Sequence, residues 1–248
     1  MGIKSLRVIA VAGLATGVVL ALAPAAGAAT PSAPGNGPDR VISHGHNTQQ
    51  SSNWSGYAET GGGYTSATAT WKVPSVSSSS GATYSSAWVG IDGDGNSNLI
   101  QTGTESDYYS GAAHYDAWWE ILPAAETVIT NITVHPGDSF TGSVSKVSGT
   151  TWSIKLTDNT TGKSYSSSKT YRGSGGSVEY IQEAPEVGGS IAKIAHFKTF
   201  SFSGLTVNGK SPALKSADEI LLVQNGVTYS TPSAPNSGGN GFSVSYTG

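Results

Sequence analysis

The sequence predicts an all-β protein, an antiparallel two-sheet β-sandwich or jelly roll, on three observations. From Ser52 onward nearly every segment is a short β-type run bounded by Gly, Ser, Asn, Pro or Asp, about a dozen runs in all. No stretch in that region joins helical periodicity to a cap, except the short segment Lys215 to Glu219. The composition suits strands and turns: 33 Gly among 248 residues, 9% aromatic and only 12% charged, so polarity comes from hydroxyls and amides rather than from ions. With no internal repeat and no linker after it begins, the stretch 52–248 reads as one domain.

The residues before it read differently. Lys4 and Arg7 precede an apolar run from Val8 to Pro24, and Ala25-Ala26-Gly27-Ala28-Ala29 follows. These are the three regions of a secretory signal, residues 1–29, with cleavage expected near Ala29. The apolar run falls short of the roughly 20 residues that span a bilayer. A secreted, extracellular monomer with no membrane attachment after signal removal is therefore expected. Residues 30–51 are rich in Pro, Gly, Ser, Asn and Gln and read as a flexible leader or short pro-segment. His44-Gly45-His46 lies there without a third ligand, and no metal follows from it.

Charge and cysteine content exclude several function classes. Lys and Arg number 13 against 16 Asp and Glu, with no basic run, so nothing marks a phosphate-backbone partner and nucleic acid is set aside. Cysteine is absent, which removes disulfides, thiolate nucleophiles, cysteine-ligated zinc and iron–sulfur clusters together.

Period two sorts the side chains of the runs between two faces. From Ser86 to Asp92, the apolar set Ala87, Val89 and Ile91 is expected to face the core, with Trp88 and Asp92 opposite. From His114 to Ile121, Tyr115, Ala117, Trp119 and Ile121 are the core set, leaving His114, Asp116, Trp118 and Glu120 together. Leu99 to Glu105 places Gln101, Gly103 and Glu105 on one side, and Ser177 to Glu183 does the same for Glu179, Ile181 and Glu183. As neighbours in one sheet these strands make a groove of amide, carboxylate and indole. A polar face is also what solvent asks of an antiparallel strand, but exposed tryptophan beside carboxylates is the mark of a binding cleft.

The chain has no Gly-x-Ser-x-Gly, no His-Glu-x-x-His, no phosphate-cradling loop and no Asp-Thr/Ser-Gly. Asp94-x-Asn96-x-Asn98 with Glu105 imitates a calcium loop, but Leu99 stands where such a loop has glycine. No metal and no cofactor is expected. A carboxylate able to act as general base on water, and a carboxamide able to donate to an oxyanion, are the chemistry that remains.

Five motifs in order carry a resemblance: Ser52-Asn53-Trp54-Ser55-Gly56, Ala87-Trp88-Val89-Gly90-Ile91-Asp92-Gly93, Leu99-Ile100-Gln101-Thr102-Gly103, Tyr115-Asp116-Ala117-Trp118-Trp119-Glu120 and Val178-Glu179-Tyr180-Ile181-Gln182-Glu183. Their order and spacing resemble the glutamic peptidases, the eqolisins. The resemblance implies a concanavalin A-like sandwich with its active site on the concave face, and an acid endopeptidase acting on polypeptides. By position it implies that Gln101 and Glu183 are the catalytic pair, with Trp54, Trp88, Asp92, Asp116, Trp118 and Glu120 lining or supporting the cleft. It further implies hydrolysis without a covalent intermediate, Glu183 activating water and Gln101 stabilising the oxyanion. Ala184-Pro185 follows Glu183 where fungal relatives carry a further acidic residue.

Two other readings fit the same groove. A carbohydrate-binding or glycan-hydrolysing jelly roll also uses tryptophan and carboxylates, with Asp116 and Glu120 as its acid pair. An inactive binding module is the other, against which the retained Gln and Glu stand. Asn53, Asn131 and Asn159 begin Asn-x-Ser/Thr sequons.

Overall fold

The computed structural model describes residues 49–248 and the backbone of 42–44 and 48; the predicted signal and His46 lie outside these residues. Thirteen strands of five or more residues make the body. They are β1 (Trp54–Thr60), β2 (Ser66–Lys72), β3 (Ser86–Ile91), β4 (Ile100–Glu105), β5 (Ala117–Ile121), β6 (Ser139–Ser148), β7 (Thr151–Asp158), β8 (Ser164–Thr170), β9 (Ser177–Glu183), β10 (Phe200–Val207), β11 (Glu219–Gln224), β12 (Val227–Pro232) and β13 (Phe242–Tyr246). The segment noted at Lys215 to Glu219 supplies only a 3-10 turn, Ser216–Asp218, closed by the Lys215 N–H donating to Asp218 Oδ2 at 2.9 Å.

Hydrogen bonding runs along one path, β5-β4-β3-β9-β1-β11-β12-β13-β10-β2-β6-β7-β8. The path folds back on itself through β11, β12 and β13, so β5 to β1 form one layer of a sandwich and β10 to β8 the other. β2 and β6 lie against β3, and β6 and β7 against β4. Pairing along the path is antiparallel. One parallel pairing stands apart from it: Thr48–Ser51, in the stretch read from composition as leader, lies beside β11 with Ser51 opposite Leu222.

The core lies between the layers. Ala87, Val89, Ile91 and Ile100 enter it from one side, and Ala67, Ala69, Trp71, Phe140, Val144, Ile154 and Leu156 from the other. Each large apolar side chain so buried contributes about 1.5–3 kcal/mol. The alternation in Ser86 to Ile91 and in Ala117 to Ile121 assigns these inward residues correctly. The outward face of the second layer is a field of hydroxyls, paired across strands as Thr70 with Thr141 (2.8 Å) and Ser201 with Ser243 (2.9 Å). At the two ends of the path, Lys169 of β8 sits 4.1 Å over the ring of Trp119 in β5.

Candidate active site

Cross-strand partners share a face, so strand register builds rows on the side of the first layer turned away from the main core. Ile181, Trp88, Gly103 and Trp118 form one row across β9, β3, β4 and β5. Glu179, Gly90, Gln101 and Glu120 form the row on one side of it, and Glu183, Ser86 and Glu105 the row on the other. Gly103 makes room for its neighbours: a Cβ there would stand 2.7 Å from Trp88 Cβ and 2.9 Å from Trp118 Cζ2. Trp54, opposite Glu183 in β1, meets Trp88 edge to face with ring centroids 5.1 Å apart.

The face differs from the groove with exposed tryptophan that the alternation predicts. Trp54, Trp88, Trp118, Gln101, Glu120 and Glu183 are each 0% exposed, and of the residues expected there only Asp116 is exposed. The indoles pack with Leu99, Leu122, Ile181 and Ile220 in a second apolar cluster. Burial of this kind is not legible from period two, which says which face a residue takes but not what lies over it.

Two side chains on this face are held from different sides. Gln101 Nε2 donates to Glu120 Oε2 at 2.7 Å. Glu183 accepts from Asn53 Nδ2 on Oε1 at 3.1 Å and from Trp88 Nε1 on Oε2 at 2.7 Å. The Trp54 indole N–H is aimed at the same carboxylate without completing a bond of normal geometry. Burial pushes the Glu183 carboxyl up to about 8, against the donors that favour its charged form. Burial likewise pushes Glu120 up to about 9, with the Glu183 charge adding to the rise, and Glu126 up to about 7. Burial also lifts Glu105 and Asp107 well above the usual carboxylate range. Gln101 Oε1, Glu120 Oε1 and Trp118 Nε1 are buried without a protein hydrogen-bond partner. Such a face holds one carboxyl between fixed donors, one oriented amide, and polar atoms left for a polar guest.

Asp116 and Glu120 do not form a glycosidase pair. Asp116 is exposed just before β5 and Glu120 is buried within it; four residues of extended chain span about 13 Å at 3.3 Å per residue, whereas a retaining glycosidase needs its carboxyls about 5 Å apart. Glu120 is also engaged by Gln101.

The family model for the Peptidase A4 family matches residues 52–246. The chain belongs to that family. As a Peptidase A4 member it is an enzyme, a peptidase whose substrates are polypeptides. Aspergillopepsin-2 of Aspergillus niger is 31% identical over 200 residues, with 71% of each chain covered. Scytalidopepsin B of Scytalidium lignicola is 35% identical over 188 residues, covering 70% of this chain and 71% of the relative. The crystal structure of scytalido-glutamic peptidase with a transition state analog inhibitor superposes with a TM-score of 0.67 at 31% identity, over 79% of this chain and 98% of that one.

In this A4 peptidase Asp92 stands apart from the other residues named from the motifs. With φ 67° it is a hub for the loop after β8: Tyr171 OH (2.6 Å) and Gly175 N (3.0 Å) donate to Oδ2, and Gly176 N (2.7 Å), Ser174 Oγ (3.0 Å) and Asn96 Nδ2 (3.2 Å) to Oδ1. Asn53, by contrast, enters sequence analysis only in a motif and as a sequon, yet it is buried and bonded to Glu183. Only the β1–β9 register brings it there. Among the described residues no helix is long and apolar enough to cross a membrane.

Proposed function

We propose that this A4 peptidase is a secreted, monomeric endopeptidase that works in acid, with Glu183 and Gln101 as its catalytic pair. Glu183, ionised, takes a proton from water, and that water attacks the scissile carbonyl. The Gln101 amide, held in place by Glu120, donates its other N–H to the developing oxyanion, an effect worth about 3 kcal/mol in comparable sites. Glu183, now protonated, hands its proton to the leaving amine. The observation that carries the reading is the pairing of both Glu183 oxygens with neutral N–H donors, Asn53 and Trp88. Such donors stabilise a carboxylate and compete with it for no proton. The signal-like residues 1–29 support secretion.

With the face closed, burial keeps Glu183 protonated at neutral pH and below. Base catalysis in acid therefore needs the face opened to water and substrate, which relieves the desolvation that raises the carboxyl. The acid limb of kcat, which reports the substrate-bound enzyme, is then expected near the ordinary Glu value of about 4.3 rather than near 8. The direct test incubates the processed enzyme with a denatured protein from about pH 3 upward, below that ordinary Glu value, beside Glu183→Gln and Gln101→Ala. Cleavage that peaks in acid, vanishes in Glu183→Gln and falls by about 10²–10³ in Gln101→Ala is expected. Full activity in either variant sinks the assignment.

A further inference from the structure

The Asn53 amide reaches Glu183 because something turns it the right way. A primary amide offers an oxygen or a nitrogen, and only the nitrogen can donate to a carboxylate. Ser51 makes the choice. Its Oγ accepts from two main-chain N–H groups, those of Asn53 (3.2 Å) and Trp54 (3.0 Å). With both acceptor positions filled, the hydroxyl is left to donate, and it donates to Asn53 Oδ1 at 2.8 Å. The amide oxygen thus faces Ser51 and the NH₂ faces Glu183 Oε1. The main chain reinforces this arrangement, since Ala184 N–H donates to the Asn53 carbonyl at 2.8 Å. Ser51, Asn53 and Glu183 are all buried.

We propose that Ser51 and Asn53 are positioning residues of the peptidase reaction, a relay that fixes the plane of the Glu183 carboxyl and keeps a neutral donor on Oε1 while Trp88 holds Oε2. The proposal rests on the reading of Glu183 as the base. The ionisable groups that share its field are Glu120 of β5 and Glu126 after it, and both are acids, so the neutral donors alone favour its charged form. Ser51 belongs to the strand Thr48–Ser51 beside β11, within the stretch that composition assigns to the leader. Processing that yields an active enzyme must leave Ser51 on the chain, and the cut falls before it.

The test expresses Asn53→Ala, Ser51→Ala, Ser51→Thr and Glu183→Gln as full chains and assays the processed proteins. Asn53→Ala is expected to lower kcat by about ten- to a hundredfold, the worth of one hydrogen bond to a charged group, with KM little changed. Its acid limb should move to higher pH, because the carboxylate has lost a donor. Ser51→Ala should move the limb the same way by less, and Ser51→Thr should restore it. Loss of activity that only tracks the folded fraction measured by near-UV circular dichroism, with an unmoved acid limb, overturns the proposal. So does a wild-type profile in Asn53→Ala. Retained activity in Glu183→Gln instead overturns the base assignment beneath it. Independently of any variant, the intact mass of the active wild-type enzyme should place its N-terminus at or before Ser51; an active form beginning at Ser52 or later overturns the relay.

Discussion

Gly103 sits where two tryptophans need the space that a side chain would take. A methyl group there meets the Ala87 carbonyl oxygen as well as both indoles, and backbone cannot swing aside as a side chain can. Gly103→Ala is expected to cost about 1–3 kcal/mol of stability, in the range for overpacking, and to shift Trp88 off Glu183. Melting and kcat measured on the same preparation check it, and a variant with both unchanged contradicts the packing described. Asp92→Ala is expected to act differently. It strands donors of Tyr171, Ser174, Gly175 and Gly176, each costing about 1–3 kcal/mol when buried, so folded yield falls while the folded fraction keeps its kcat. Both effects differ in legibility. The tryptophan and carboxylate faces are readable because period two is a local property of each strand. The bonds of Asp92 to the loop after β8 and the Asn53–Glu183 bond join residues 79 or more positions apart, and no local pattern carries that information.

Among the elements, β9 is buried along its whole length although Val-Glu-Tyr-Ile-Gln-Glu reads as an amphipathic strand. It lies in mid-layer between β3 and β1, with Val178 and Tyr180 in the main core and Ile181 in the second cluster. The strand and its two faces are legible in the sequence, but not that both faces are covered, since that depends on the indoles gathered from β1, β3 and β5. Hydrogen exchange followed by mass spectrometry should show β9 and β3 exchanging only through global unfolding, and β8 and the Glu186–Ile191 hairpin well before them. Fast exchange in β9 contradicts the placement of the second cluster.

Across the whole molecule, buried carboxyls set the response to pH. Folded-state values of about 7 for Glu126, about 8 for Glu183 and about 9 for Glu120 all exceed the unfolded value near 4.3. The folded chain therefore holds its protons more tightly. Their contribution to stability is fully present below about pH 4 and is lost as pH rises through 7 to 9, at up to about 1.4 kcal/mol per unit for each group that ionises only on unfolding. Calorimetry from pH 3 to 9 should give its highest Tm at the acid end, and a Tm that rises from pH 3 to 7 refutes this. The hydroxyl-covered outer layer keeps the same charge throughout that range, so its hydration does not change as the interior titrates. The closing of the strand path bears on a different property. Every open sheet has two rows of unsatisfied backbone groups at which a second chain can add. Here those rows belong to β8, rich in serine, and to the two-residue strand Thr127–Val128 beside β5, and the Lys169–Trp119 contact draws the two sides together. A protein with so few charges is left with no long, apolar border among its described strands, and so with little template for fibrous self-association even when acid has neutralised its carboxylates.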